Sequence, residues 1–255
     1  MHPKFFSIAG IDIHGYGFMI MVGALCGYYY VSGQAKKELN IPAEKIQNLA
    51  VLIILMAVVG GKLLFYLEDP KYYFNPPSNM FKNFRQGFVF YGSLIFVLPA
   101  AIWYFRKEKW PLWEFLDILA IAGPIIHIFG RMGCLMAGCC YGLPTDSFLG
   151  ITFTDPHTQA RPAATPLHPT QLYEIALIGT ILVVLWMLKR YDRFKHRLIF
   201  VYVMLYAAGR SVTEMFRGDL RRGFIIEDVL SHSQFISILL ICVCIAAIYR
   251  LKKKL

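Results

Sequence analysis

The sequence predicts an all-α, polytopic membrane protein of seven transmembrane helices forming one domain over 1–255. Three observations carry this. Apolar residues make up 57% of the 255 residues and charged ones only 16%, against roughly 45–50% and about 25% in soluble domains. Mean hydropathy is +0.50. The apolar residues are also gathered into seven runs of roughly 17 to 22 residues, and a helix of about 20 residues crosses about 30 Å of hydrocarbon. Together these exclude a disordered chain and argue against a soluble enzyme.

The runs cover 15–33, 46–67, 88–105, 113–131, 171–188, 198–216 and 233–249. The first is preceded by Lys4, Gly10, Asp12 and His14, with no long basic stretch and no small-residue cleavage site. It is expected to be a retained span, not a signal peptide. The second contains Gly60-Gly61 just before Lys62, so close helix approach or a snorkelling lysine fits there. Between the second and third, Pro70, Pro76 and Pro77 interrupt a segment whose Tyr72, Tyr73 and Phe74 suit a membrane interface. The fourth run ends at Arg131. After it, 132–170 is rich in Gly, Pro and Thr and reads as an external loop, with 151–153 as a short extended piece. Pro169 suits a turn that opens the fifth helix. No repeat or low-complexity tract interrupts the pattern.

The net charge of +10 follows the spans. The segments 34–45, 106–109, 189–197 and 250–254 hold fifteen Lys and Arg; 1–14, 68–87, 132–170 and 217–232 hold eight. The richer side is expected to be cytoplasmic, which puts the N-terminus and the 132–170 loop outside and the C-terminus inside. The basic residues are thus accounted for by topology and anionic lipid. No basic stripe interleaved with aromatics remains for nucleic acid.

Three cations fall within or at the end of spans: Lys62, Arg131 and Arg210. A charge near the bilayer centre costs at least about 2.5–3.5 kcal/mol and normally faces a cavity or a partner. Glu214 follows Arg210 by four residues, so the two share a helical face. They either neutralise one another or position the arginine for an anion. With Arg217, the arginines exceed Glu214 by two charges, and a phosphate at headgroup depth is the natural counter-ion for guanidinium forks.

The segments that carry these residues are distinctive. Gly130-Arg131-Met132-Gly133-Cys134 runs on to Gly138-Cys139-Cys140-Tyr141-Gly142. His168-Pro169-Thr170-Gln171-Leu172-Tyr173-Glu174 opens the fifth span. Gly209-Arg210-Ser211-Val212-Thr213-Glu214-Met215-Phe216-Arg217 ends the sixth. In this order the chain resembles the phosphatidylglycerol–prolipoprotein diacylglyceryl transferase family. The likeness extends to Ile13-His14-Gly15-Tyr16-Gly17, to Phe90-Tyr91-Gly92-Ser93-Leu94 and to Ser233-Gln234-Phe235-Ile236-Ser237, and so covers nearly the whole chain.

The resemblance implies a multi-pass enzyme of the cytoplasmic (inner) membrane. It would move diacylglycerol from phosphatidylglycerol to the lipobox cysteine of a prolipoprotein signal peptide and release glycerol phosphate, without a cofactor. Arg131 and Arg210 would hold the phosphate and Glu214 would orient Arg210. Arg217 would be a second phosphate contact or a boundary arginine. Tyr16, His168, Gln171, Cys134 and Cys139 complete the candidate substrate contacts; His168 also has a structural reading, and Gln171 and Glu174 are expected to hydrogen-bond across the bundle. Two departures stand out. Tyr91 occupies a position where the family motif has His, and Cys134, Ala137 and Cys139 replace the Asn, Asn and Glu of the fourth-span motif.

Alkylating a thiol requires a thiolate and a stabilised phosphate leaving group. Tyr91 serves as base only if its pKa of about 10 is lowered by the arginines; His127, one turn before Arg131, is the alternative, or a packing residue. Cys134, Cys139 and Cys140 are open to four readings: packing beside glycines, a disulfide of Cys134 with Cys139 or Cys140, a thiol relay through Cys139, or a metal site, which lacks a flanking His or second Cys pair. Two other functions compete. One is a carrier or scramblase that binds anionic lipid without cleaving it. The other is a membrane thiol redox protein.

Overall fold

The computed structural model describes residues 3–8, 11–82, 84, 87–162, 164–218, 224–226 and 230–254. Of the residues used for the charge asymmetry, Arg85, Arg221 and Arg222 lie outside the described residues. A hairpin of β1 (Lys4–Ile8) and β2 (Ile11–His14) leads into α1 (Gly15–Leu39). Then come α2 (Ala43–Glu68), the short α3 (Pro70–Phe74) and α4 (Ser78–Lys82), α5 (Phe90–Glu108) and α6 (Leu112–Ala137). A loop carrying β3 (Ile151–Thr152) and β4 (Pro166–Leu167) precedes α7 (Thr170–Arg190) and α8 (Leu198–Thr213), which tightens into a 3-10 turn, Glu214–Phe216. The hairpin β5 (Phe224–Ile226) and β6 (Leu230–Ser231) leads to α9 (His232–Lys254).

Each expected apolar run is therefore one long helix. Among the described residues, five of them are long and apolar enough to cross a membrane: α2, α6, α7, α8 with its 3-10 turn, and α9. The described residues are mostly helical, with three small antiparallel ladders among them. The all-α expectation omitted these; of them only β3 coincides with a segment expected to be extended.

Contacts divide the chain into two compact units, residues 1–31 with 116–255, and residues 32–115. In the first, Ala120 and Ile121 of α6, Ile181 and Leu185 of α7, and Leu198 and Val201 of α8 form the buried core. Glycines let α1 lie close to α6: a Cβ at Gly27 would sit 2.5 Å from Ile126, and one at Gly23 2.7 Å from Phe129. Asp117 of α6 accepts hydrogen bonds from the backbone N–H groups of His196 and Leu198, amides at the start of α8 that have no partner within the helix. α9 exposes Ile236, Ile238, Leu239, Val243 and Ile245, a face suited to hydrocarbon.

α6 runs six residues past the expected boundary at 131. The apolar pattern continues through Leu135 and Ala137, both buried, and the helix stops only at Gly138, whose φ is +68°. Gly138 N–H bonds Leu135 O at 3.3 Å and Cys139 N–H bonds Cys134 O at 3.1 Å. This is a Schellman stop, the helix ending that favours glycine. A second small core, Leu135, Phe153, Ala160 and Leu167, fastens the following loop to that helix end.

In the second unit, α2 and α5 meet backbone to backbone. A Cβ added at Gly60 would lie 2.3 Å from Gly92 O, and one at Gly92 would lie 2.2 Å from Gly60 O. Ser93 Oγ donates to Ala57 O at 2.8 Å. Lys62 Nζ donates to Gly87 O at 2.8 Å and sits 5.0 Å from the Phe84 ring centre and 5.6 Å from that of Phe65. A carbonyl dipole and two ring faces are thus among the groups that accommodate this in-span cation.

Candidate functional site

The site is built where α6, α7 and α8 carry charge on buried surfaces. Arg131 stands two turns before the end of α6, Glu174 just inside the start of α7, and Arg210 in the last turn of α8. Arg131 Nε lies 2.7 Å from Glu174 Oε2. Arg210 Nη1 lies 3.1 Å from Glu174 Oε1, and its Nη2 lies 2.7 Å from Glu214 Oε2. Glu174 is 1% exposed and Glu214 4%. One carboxylate thus bridges two arginines, and a second holds Arg210 from the other side. The expected excess of two positive charges is corrected by Glu174, which shares its oxygens between both guanidinium groups. Arg131 and Arg210 are balanced by Glu174 and Glu214.

The network leaves donors to spare. A guanidinium carries five N–H donors; Arg131 Nη2 points one at Tyr206 OH across 3.5 Å, and Arg210 Nε belongs to none of the ion pairs above. Arg210 lines a cavity of about 660 Å³ between α8 and α9, with Tyr206, Ser233 and Ser237 among its polar walls and Ile236 and Leu240 among its apolar ones. His127 Nδ1 is 3.3 Å from Tyr202 OH, and its ring packs edge-on to Tyr206 at 4.8 Å. This fits its packing reading.

A second cavity, of about 850 Å³, opens between the N-terminal hairpin, the start of α1 and the end of α6. Tyr16, Cys134, Cys139 and Cys140 line it, with His14 and His157 on its walls. All six cysteines stand as free thiols in this structure. The sulfurs of Cys134, Cys139 and Cys140 lie within 4.8 Å of one another, and Cys139 Sγ is 3.7 Å from Cys134 O. The Schellman turn causes this, because it turns the chain back over the last helical turn and packs Cys139 onto Cys134, five residues earlier. α7 fixes the arrangement: Thr170 Oγ1 donates to Cys140 O at 2.5 Å and Gln171 Nε2 to Cys139 O at 2.6 Å. Hydrogen bonds from Cys134 and Cys139, helped by Arg131 and Arg217, hold the Cys140 thiol below its usual range in spite of burial.

The expected site residues thus fall into separate groups. Arg131, Arg210 and Glu214 meet in one network. Tyr16, Cys134 and Cys139 meet at the second cavity. Gln171 is fully buried and spends its amide on the Cys139 carbonyl. His168 Nδ1 bonds Tyr173 OH at 3.0 Å and its ring packs on Phe216; its backbone pairs with Gly142 and Leu143, so it pins the loop to α7. Arg217 follows the 3-10 turn, pairs its backbone with Gly142, and lies close enough to act electrostatically on Glu174 and Cys140. Tyr91 belongs to the second unit, in the first turn of α5, 71% exposed and edge-on to Phe90. Glu174 hydrogen-bonds across the bundle as expected, and what the sequence did not show is that it bridges both arginines. Its signal was an acid inside an apolar run, the same signal that singled out the arginines.

Known proteins resemble this chain over nearly all its length. Residues 3–250 match the family described as prolipoprotein diacylglyceryl transferase. A phosphatidylglycerol–prolipoprotein diacylglyceryl transferase of Clostridium tetani is 34% identical over 245 residues, 95% of each chain. A second such protein, from Clostridium perfringens, is 34% identical over 92% of this chain and 90% of its own. One from Campylobacter hominis is 31% identical over 98% and 91%.

Proposed function

The chain belongs to the prolipoprotein diacylglyceryl transferase family, and from that premise we propose that it transfers diacylglycerol from phosphatidylglycerol to the lipobox cysteine of prolipoproteins. The enzyme acts as a single seven-span domain of the cytoplasmic membrane, with its N-terminus and the 132–170 loop outside. The acceptor sulfur attacks the terminal glyceryl carbon. A carbon–sulfur bond forms, the carbon–oxygen bond to phosphate breaks, and glycerol phosphate leaves.

The observation that carries this reading is the buried Arg131–Glu174–Arg210–Glu214 network. Its carboxylates hold both arginines in place before substrate arrives, so little reorganisation accompanies the build-up of charge on the leaving phosphate. Counting Arg217, three arginines face two glutamates. Spare guanidinium donors contact the phosphate oxygens while the ion pairs persist, and the Arg210-lined cavity between α8 and α9 suits a lipid that enters sideways. Tyr16 and the cysteine-bearing cavity receive the acceptor peptide. Tyr91, in the position the family motif gives to His, is the candidate for a catalytic hydroxyl.

The test reconstitutes the full chain in phosphatidylglycerol vesicles with a lipobox peptide. Thioether-linked diacylglyceryl peptide and glycerol phosphate are expected in equal amounts. A carrier would move lipid between leaflets and leave its headgroup uncleaved.

A further inference from the structure

We propose that Cys134, Cys139 and Cys140 bind a zinc ion and leave its fourth position open for the acceptor thiol. This rests on the transferase reading for what the ion does, and on the structure alone for where it sits. The three sulfurs lie within 4.8 Å of one another. Three thiolates about 2.3 Å from zinc in a tetrahedron stand about 3.8 Å apart, so small side-chain rotations close the set. The backbone is already committed to that geometry. The Schellman turn stacks Cys139 on Cys134, Cys140 holds a φ of +58°, and α7 hydrogen-bonds both Cys139 and Cys140 carbonyls. Preorganisation of this kind separates a ligand set from cysteines that merely pack.

Arg131 lies one turn before Cys134 on α6, so a cation stands beside the ligand set. Three protein ligands with an open position is the pattern of a reactive zinc site, whereas a structural site closes with four. The open side faces the 850 Å³ cavity lined by Tyr16, where a cysteine-bearing peptide has room. A thiol that coordinates zinc loses its proton, here to water in the cavity, and remains a nucleophile as thiolate. The sulfur then attacks the glyceryl carbon, and the electron pair of the broken carbon–oxygen bond leaves with the phosphate held by Arg131 and Arg210, Arg131 standing one helical turn before Cys134. No oxidant or reductant is needed. The site thereby supplies the thiol activation that neither His127, tied to Tyr202, nor the arginines provide.

The test uses the full chain purified in detergent under reductant, without chelator. Zinc content near one per chain is expected for the parent and for Cys26→Ser, and near zero for Cys134→Ser and for Cys139→Ser. Cobalt(II) loaded into the parent chain reports the site without any variant. Its thiolate-to-metal charge-transfer absorption should match three thiolates, and should grow when a lipobox peptide is added but not when the peptide cysteine is replaced by serine. Full transfer by a metal-free parent with three alkylatable thiols overturns the proposal. So does a cobalt spectrum that the cysteine peptide leaves unmoved. A peptide-dependent cobalt spectrum with no release of glycerol phosphate from phosphatidylglycerol sustains the zinc site and sinks the transferase reading instead.

Discussion

Glu174 turns two arginines from liabilities into parts of a device. Burying a guanidinium unpaired is expensive, whereas a pair whose members are each bonded holds its geometry. Removing the shared carboxylate should therefore hurt more than removing a surface acid. Glu174→Gln is expected to cost about 3–5 kcal/mol, the range for breaking a buried pair, seen as a lowered unfolding midpoint in detergent together with lost transfer. Arg131→Ala and Arg210→Ala should each reduce turnover at least about a hundredfold, the scale of one transition-state donor worth about 3 kcal/mol. Arg210→Lys should recover little, because a point charge cannot contact Glu174, Glu214 and a phosphate in the way a planar fork can. A folded Arg131→Ala protein with parental turnover would remove the phosphate clamp from the mechanism. Tyr91→Phe tests the other departure. Its ring is largely exposed and its hydroxyl has no packing duty to lose, so lower turnover at unchanged thermal stability is expected if the hydroxyl works on the thiol or headgroup. Unchanged kinetics would reduce Tyr91 to a boundary aromatic.

At the scale of elements, the end of α6 matters most. Its last turn carries Cys134, and the glycine that stops it sets where Cys139 and Cys140 fall. Alanine at 138 would have to hold a φ of +68°, a conformation costing an L-residue roughly 1–2 kcal/mol. Its Cβ would also lie 1.9 Å from Thr158 Oγ1. Gly138→Ala is thus expected to destabilise by more than that backbone term and to raise alkylation of the three thiols as the turn opens. Parental melting and parental thiol reactivity in that variant would show that the turn does not organise the cysteines. The same segment explains a misplaced boundary. A loop was expected from 132 because glycines become frequent there, yet Gly133 tolerates helix: a Cβ there would meet Tyr16 at 3.1–3.3 Å. That glycine serves approach of α1, and only Gly138 serves the stop.

For the whole molecule, orientation decides which side of the membrane the chemistry faces. The fifteen-to-eight distribution of Lys and Arg over alternating segments predicts that a reporter fused after Leu255 is active only in the cytoplasm and one inserted near Thr158 only outside. The reverse pattern would move the cysteine-lined cavity to the cytoplasmic face and end the assignment. The exposed apolar faces of α2 and α9 place these helices against lipid or another apolar partner, since such surfaces are stable only there.

Composition and periodicity alone determined the helical membrane class and the position of every long helix, because a hydrocarbon layer rewards uninterrupted apolar runs and any break is visible in the chain. The in-span charges were legible for the same reason: Arg131, Arg210 and Glu214 stand out against an apolar background. Pairing was not legible. Glu174 is separated from Arg131 and from Arg210 by dozens of residues, and nothing local distinguishes an acid that bridges two arginines from one that bonds a backbone group. Nor could spacing reveal that Cys134, Cys139 and Cys140 converge, since that depends on a single left-handed glycine and on hydrogen bonds from a helix that begins thirty residues later. Those facts belong to the tertiary structure, because a charge network and a ligand set are defined by distances between elements, and a sequence fixes such distances only through the packing of all of them at once.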